Sequence, residues 1–155
     1  MKKTIKICSI LLCIFILSGC NEIGTKVTTC THDNDQSKSG YKILSTYKIY
    51  SKKDIVTKVE TNEVLTTKNT TILAFFEDDY KKRYESESKK YKGFSYKINK
   101  EKEKLTTNLI VNYKKLNMSD YIKENSAMKS YVDKNNNFTL NGAKTMYESL
   151  GATCK

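Results

Sequence analysis

The chain has 155 residues, with 28 Lys plus Arg against 17 Asp plus Glu, a single histidine, and neither proline nor tryptophan. Its length and 38% hydrophobic content fit one domain with one modest core, and no internal repeat argues for an array. After Leu17 no hydrophobic run is long enough to span a bilayer, and the lone His32 and lone Arg83 leave little for nucleophilic catalysis or bidentate phosphate recognition.

Lys2, Lys3 and Lys6 precede an uncharged stretch from Ile7 to Leu17. That is the charge and length of a secretory signal, short of the ~20 apolar residues a bilayer helix needs. The stretch closes in Leu17-Ser18-Gly19-Cys20, with a small pair before the cysteine that suits the narrow site of a signal peptidase. This pattern resembles the lipobox of bacterial lipoproteins. The resemblance implies cleavage before Cys20 and diacylglycerol, with palmitate-type chains, on its thiol. An ordinary signal peptide with an incidental cysteine and an uncleaved short anchor are the competing readings. The expected organisation is a lipoprotein signal peptide over 1–19, a lipidated tether over 20–26 and a single domain over 27–155, held at the extracytoplasmic face of the cell membrane.

Cys8 and Cys13 lie in the discarded segment, which leaves Cys30 and Cys154. In an exported chain, two thiols near opposite ends of one domain are expected to form a disulfide, with two buried free thiols as the alternative. Without the leader, basic residues fall to 25 against 17 acids, a formal charge of +8. Such a surface either attracts anionic lipid or wall polymer, or does no more than keep the protein soluble. Nucleic acid is not an expected partner, given the address and the scatter of lysines among acids.

Val27 to Thr31 is rich in β-branched residues and reads as a strand, and "HDNDQSKSG" (32–40) reads as a polar turn. Tyr41, Ile43, Tyr47 and Ile49 alternate with Lys42, Thr46 and Lys48, the pattern of a half-buried strand. After "SKKD", Ile55, Thr57, Val59, Thr61 and Leu65 predict its antiparallel partner. The period changes at Asn69, a helix cap. Leu73, Phe76, Tyr80, Tyr84 and Tyr91 then form one helical stripe, the acids and lysines between them are assigned to water, and Gly93 ends the helix. Phe94 to Ile98 and Leu105 to Tyr113 predict a second hairpin. Asn117 caps a helix running to Val132, and a last helix follows Thr139 and ends at Gly151. Runs of strands and segregated helices predict an α+β domain: an antiparallel sheet of about four to five strands packed against one long helix and two short C-terminal helices.

Three places invite chemistry. His32, Asp33 and Asp35 stand close in sequence, but one histidine in a polar turn lacks the donor set of a tight metal site. Asp133, Asn135 and Asn137 begin like a calcium loop, yet Phe138 and Lys144 stand where the turn glycine and the bidentate glutamate belong. Glu77, Asp78 and Asp79 fall on the solvent side of the long helix. No catalytic residue, metal or cofactor is expected.

The layout resembles the YehR-like bacterial lipoproteins, a small family of unknown function. The similarity rests on "LSGC", "TCT", "YSKKDIVTKV", "NSAMKSYV" and "LGATC". It implies an exported, membrane-anchored α+β domain and brings no catalytic residue with it. The preferred expectation is a monomeric, noncatalytic envelope lipoprotein that binds an unidentified ligand or partner through its sheet or its tyrosine-bearing face. An accessory protein docking on wall polymer or membrane is the second reading. An enzyme of unrecognised type and a role for the released signal fragment are further ones.

Overall fold

The structure is a computed structural model that describes residues 24–155; the leader and Cys20 lie outside them. The elements run β1 (Lys26–Gln36), β2 (Tyr41–Lys52), β3 (Ile55–Thr66), α1 (Thr70–Lys90), β4 (Phe94–Lys100), β5 (Lys104–Asn112), α2 (Met118–Glu124), a 3-10 segment (Ser126–Tyr131), α3 (Leu140–Ser149) and β6 (Thr153–Cys154). The strands form one antiparallel sheet in the order β4-β5-β3-β2-β1-β6. The α+β class expected from the order of elements is present, with six strands in place of four to five.

Strand alternation decides which face meets the helices. Across the register, Cys30 lies opposite Tyr47, Ile49 opposite Val59 and Leu65 opposite Leu105, and all of these side chains are buried on the same face. Their neighbours Lys48, Glu60 and Asn108 point to the other, helix-free face, as side chains alternate along a pleated strand. Lys53 and Asp54 both adopt positive φ, 47° and 68°, giving the two-residue turn whose twist suits the β2–β3 hairpin. A register shift at Tyr50/Ser51 adds one residue to β3 near Thr57, so Val56 is buried where strict alternation predicted Ile55 and Thr57, while Val59 is buried as expected.

Residues 32–36 belong to β1, contrary to the turn expected there. Each has a cross-strand partner, ending with Gln36 opposite Tyr41, and the turn is confined to Ser37–Ser39 and Gly40, whose φ is 85°. Polar residues suffice in this stretch because half of it faces water.

At the start of α1, the Asn69 side chain accepts hydrogen bonds from the Thr71 and Ile72 amides at 2.9 and 3.3 Å. The helix buries Leu73, Tyr80 and Tyr84. It ends at Lys90: Tyr91, expected on the helical stripe, has extended backbone and follows the last turn, although its ring is still buried. The next helix is also shorter than expected. Asn125 donates its side-chain amide to the Tyr121 carbonyl, α2 stops there, and the chain tightens into the 3-10 segment. Thr139 caps α3 by accepting from Gly142 N–H at 2.9 Å.

The helices cover the sheet in two blocks. One buried cluster, including Cys30, Tyr47, Ile49, Val59, Phe138 and Tyr147, lies under α2, the 3-10 segment and α3. The other, built on Leu65, Leu73, Tyr80, Tyr84 and Leu105, lies under α1. The chain end is tied back by a Cys30–Cys154 disulfide across the β1–β6 pair, flanked by backbone bonds between Thr29 and Lys155 in both directions. No helix among the described residues is long and apolar enough to cross a membrane.

Candidate functional site

The two helical blocks touch through the Lys90–Glu124 pair and the Tyr91–Tyr121 contact, and beside that contact a cleft of about 290 Å³ opens over β2 and β3. Its floor is Tyr47 from β2 with Thr61 and Glu63 from β3; Arg83, Tyr84 and Glu87 of α1 form one wall, and Tyr121 of α2 and Tyr147 of α3 the other. The volume is at the lower edge of what small-ligand sites occupy.

The aromatic rings are fixed by packing. Tyr47 and Tyr147 stack with centroids 4.1 Å apart, and Tyr121 meets Tyr91 edge to face at 5.0 Å. Glu63 occupies an inward position of β3. It accepts hydrogen bonds from Ser45 Oγ at 3.1 Å on one oxygen and from the Tyr84 hydroxyl at 3.0 Å on the other. Glu87 lies one turn beyond Tyr84 on the inward side of α1, and its Oε2 is buried without a hydrogen-bond partner. Such a group is costly to leave unmatched. Arg83 brings the one cation of the lining, but its guanidinium bonds to Asp79 at 3.2 Å and lies over the Tyr80 and Tyr84 rings at 5.1 and 5.3 Å.

Burial pushes the phenols of Tyr84 and Tyr147 well above their ordinary value of 10.0, with the Glu63 charge acting in the same direction on both. Tyr121 is pushed up to about 12 by burial first and by the Glu87 charge second. A raised phenol pKa in the folded state means that its contribution to stability is complete below the unfolded value near 10 and is lost as pH climbs toward the folded value. The urea midpoint is therefore expected to hold between pH 7 and 9 and to fall from pH 10 upward. Tyr147→Phe is expected to shallow that fall. An equal alkaline slope in the variant would remove Tyr147 from the explanation.

A larger hollow, about 530 Å³, lies on the helix-free face beside Thr46, Lys48, Glu60 and Asn62. Several of its polar groups are matched to their neighbours: Asn62 donates to Asn108, and Glu60 accepts from Lys58 and Tyr50. The cleft differs in holding buried rings and an unmatched carboxylate oxygen, and it is the stronger site for that reason.

The residues singled out in sequence are not brought together here. Alternation along β1 sends His32 to the helix side, against Gly151, and Asp33 to the opposite face, where it pairs with Lys42 at 2.9 Å. Asp35 is engaged by the Ser37 amide and hydroxyl. Asp133 accepts from the amides of Asn135 and Asn137 and from the Asn137 side chain, so its oxygens close their own loop. Of the tyrosine stripe, Tyr84 does reach the cleft. Glu63 and Glu87 were assigned to no site, although both are acids at inward positions of otherwise apolar or aromatic patterns.

No protein-family model matches the chain, and no curated protein sequence does. Two solved structures are similar. The NMR structure of the E. coli YehR protein is 14% identical with a TM-score of 0.54, covering 85% of this chain and 93% of that one. An NMR structure of a protein from Streptococcus pneumoniae TIGR4 is 15% identical with a TM-score of 0.51, covering 100% and 96%. At these identities the likeness is one of fold, and in that respect it agrees with the resemblance seen in the sequence: the chain has a YehR-like α+β fold.

Proposed function

We propose that this chain is a lipid-anchored extracytoplasmic lipoprotein whose domain is noncatalytic and binds a small ligand or envelope partner in the cleft between α1 and the α2–α3 block. The observation that carries the binding reading is the unmatched, buried carboxylate oxygen of Glu87 in an aromatic-walled cleft. The address is supported by the charged start, apolar run and "LSGC" of the leader and by a disulfide that suits an oxidising compartment. Intact mass of the protein from its producing cells, with and without reduction, tests the address. Diacylglycerol on an N-terminal Cys20 and two thiols alkylated only after reduction are expected. A chain that still begins at Met1 and carries free thiols would overturn it.

A second reading, docking on an anionic surface, is favoured by the charge at one end of the sheet. Lys26, where the tether joins β1, pairs with Ser51 beside Lys52 and Lys53 of the hairpin tip. Lys92 and Lys115 flank the adjoining Gly93–Asn112 contact, and Lys134 lies in the loop next to Phe138, which bonds Val56. The acids there include Asp54, Asp120 and Asp133, the last held within its own loop. A six-residue tether reaches at most about 20 Å, so a lipid on Cys20 would keep this end near the headgroups. Unlipidated protein is expected to sediment with phosphatidylglycerol vesicles at low salt, to release at about 0.5 M salt, and to ignore phosphatidylcholine. Equal binding to both lipids would sink this reading.

A further inference from the structure

We propose that the ligand of the cleft is a small organic cation, a compound whose ammonium group is held by the carboxylates of Glu63 and Glu87 among tyrosine rings; this rests on the reading of the cleft as a binding site. The argument begins with charge. The lining carries two carboxylates and one guanidinium, and the guanidinium is already balanced by Asp79 and spread over the Tyr80 and Tyr84 rings. The cleft is therefore negative on a protein that is otherwise strongly positive. An anionic ligand would be drawn to the lysine-covered surface and turned away from this site.

The walls point the same way. A cation among aromatic faces is attracted by the negative centre of each ring, and the attraction grows when water is excluded. Tyr47, Tyr121 and Tyr147 supply such rings, stiffened by their own stacking, so little ordering is required on binding. Phenols are neutral at physiological pH, so these rings add no charge of their own to the site. Finally, Glu87 Oε2 lacks a donor in the unliganded protein. Terminal carboxylate torsions are soft, so either oxygen can turn to meet an N–H or the positive methyl shell of an ammonium group.

The test uses the mature-length chain with Cys20→Ser, isotope-labelled for NMR, titrated with tetramethylammonium and separately with 1,4-diaminobutane. Shifts confined to the amides of Tyr84, Glu87, Tyr121 and Tyr147 are expected for at least one of them. The first probe reports a quaternary ammonium preference and the second a primary amine. Glu87→Gln is expected to weaken binding at least tenfold while leaving the unliganded protein as stable or more so, because the carboxylate it replaces has a buried oxygen, Oε2, with no hydrogen-bond donor. A residue with only a structural role would lower stability instead. Equal binding of a neutral isostere such as 3,3-dimethylbutanol, or binding of calcium alone, would overturn the organic-cation assignment while leaving the cleft a binding site. Absence of shifts with every probe would overturn both.

Discussion

Removing the Cys30–Cys154 disulfide is expected to lower the unfolding free energy by about 4 to 5 kcal/mol. The two cysteines are 124 residues apart, so the bond closes almost the whole described chain into one loop and restricts the unfolded ensemble accordingly. Against the ~5 to 15 kcal/mol that stabilises a typical domain, this is a large share. The folded side depends on it too. β6 is only Thr153–Cys154, and apart from the disulfide it is held to β1 by a short ladder that includes the paired Thr29 and Lys155 bonds. Through Gly151 and Ala152 the strand leads back to α3, which carries Tyr147 into the cleft. Urea denaturation of the oxidised protein, the reduced protein and the Cys30→Ala/Cys154→Ala double variant measures the effect. Both altered forms should shift to a lower midpoint, and the slope should rise as the unfolded chain expands. A difference under ~1 kcal/mol would mean that the unfolded chain is already compact, or that β6 is dispensable.

How much of this was legible in advance depends on the range of the interaction that decides each feature. Alternation in Tyr41 to Ile49 and the helical stripe of Leu73, Tyr80 and Tyr84 are local patterns, and the elements they predict are present. The inserted residue near Thr57 is invisible to a strict period, because it moves Val56 to the core without altering the composition of the strand. β6 is too short to have a period at all. Its pairing follows from the opposition of Cys30 and Cys154 in register. The His32, Asp33 and Asp35 group failed as a site for a reason alternation supplies: once residues 32–36 are strand, neighbours in sequence point to opposite faces.

The cleft is a mixed case. Tyr47 and Tyr84 were on the predicted core stripes, but Tyr121 was not singled out, Glu87 was assigned to water with the other acids of the helix, and Glu63 was given no role. Glu63 follows Val59 and Thr61 and precedes Leu65 in the inward phase of β3, and Glu87 stands between Tyr84 and Tyr91 at helical spacing. An acid in a core phase was the available signal. What no local pattern could supply is that β3 and α1, joined in sequence by only Thr67 to Asn69, bring both acids to the same gap between the helical blocks.

Phe138→Ala is expected to cost about 3 to 5 kcal/mol, in the range for deleting a fully buried aromatic side chain. Phe138 is 1% exposed and is the largest fully buried side chain among the described residues. Its ring meets Tyr113 at 4.9 Å. The backbone around it is held from three sides: its carbonyl accepts the Val56 amide at 2.8 Å, it bridges to Val132, and the next residue, Thr139, caps α3. A cavity there has little freedom to collapse, so the upper part of the range is expected. This also explains why the segment Asp133–Asn137 departs from a calcium loop at the following position. The phenylalanine anchors the loop to the core, while Asp133 gathers the loop amides around itself. Urea unfolding of Phe138→Ala and Phe138→Leu checks the account: leucine, which refills part of the volume, should recover more than half of the loss with an unchanged slope. A cost near ~1 kcal/mol for alanine would show that the loop can lift away without disturbing the core. If the anchor does hold α3 in place, the amide of Tyr147 should shift in the alanine variant, because a displaced helix start moves the wall of the cleft.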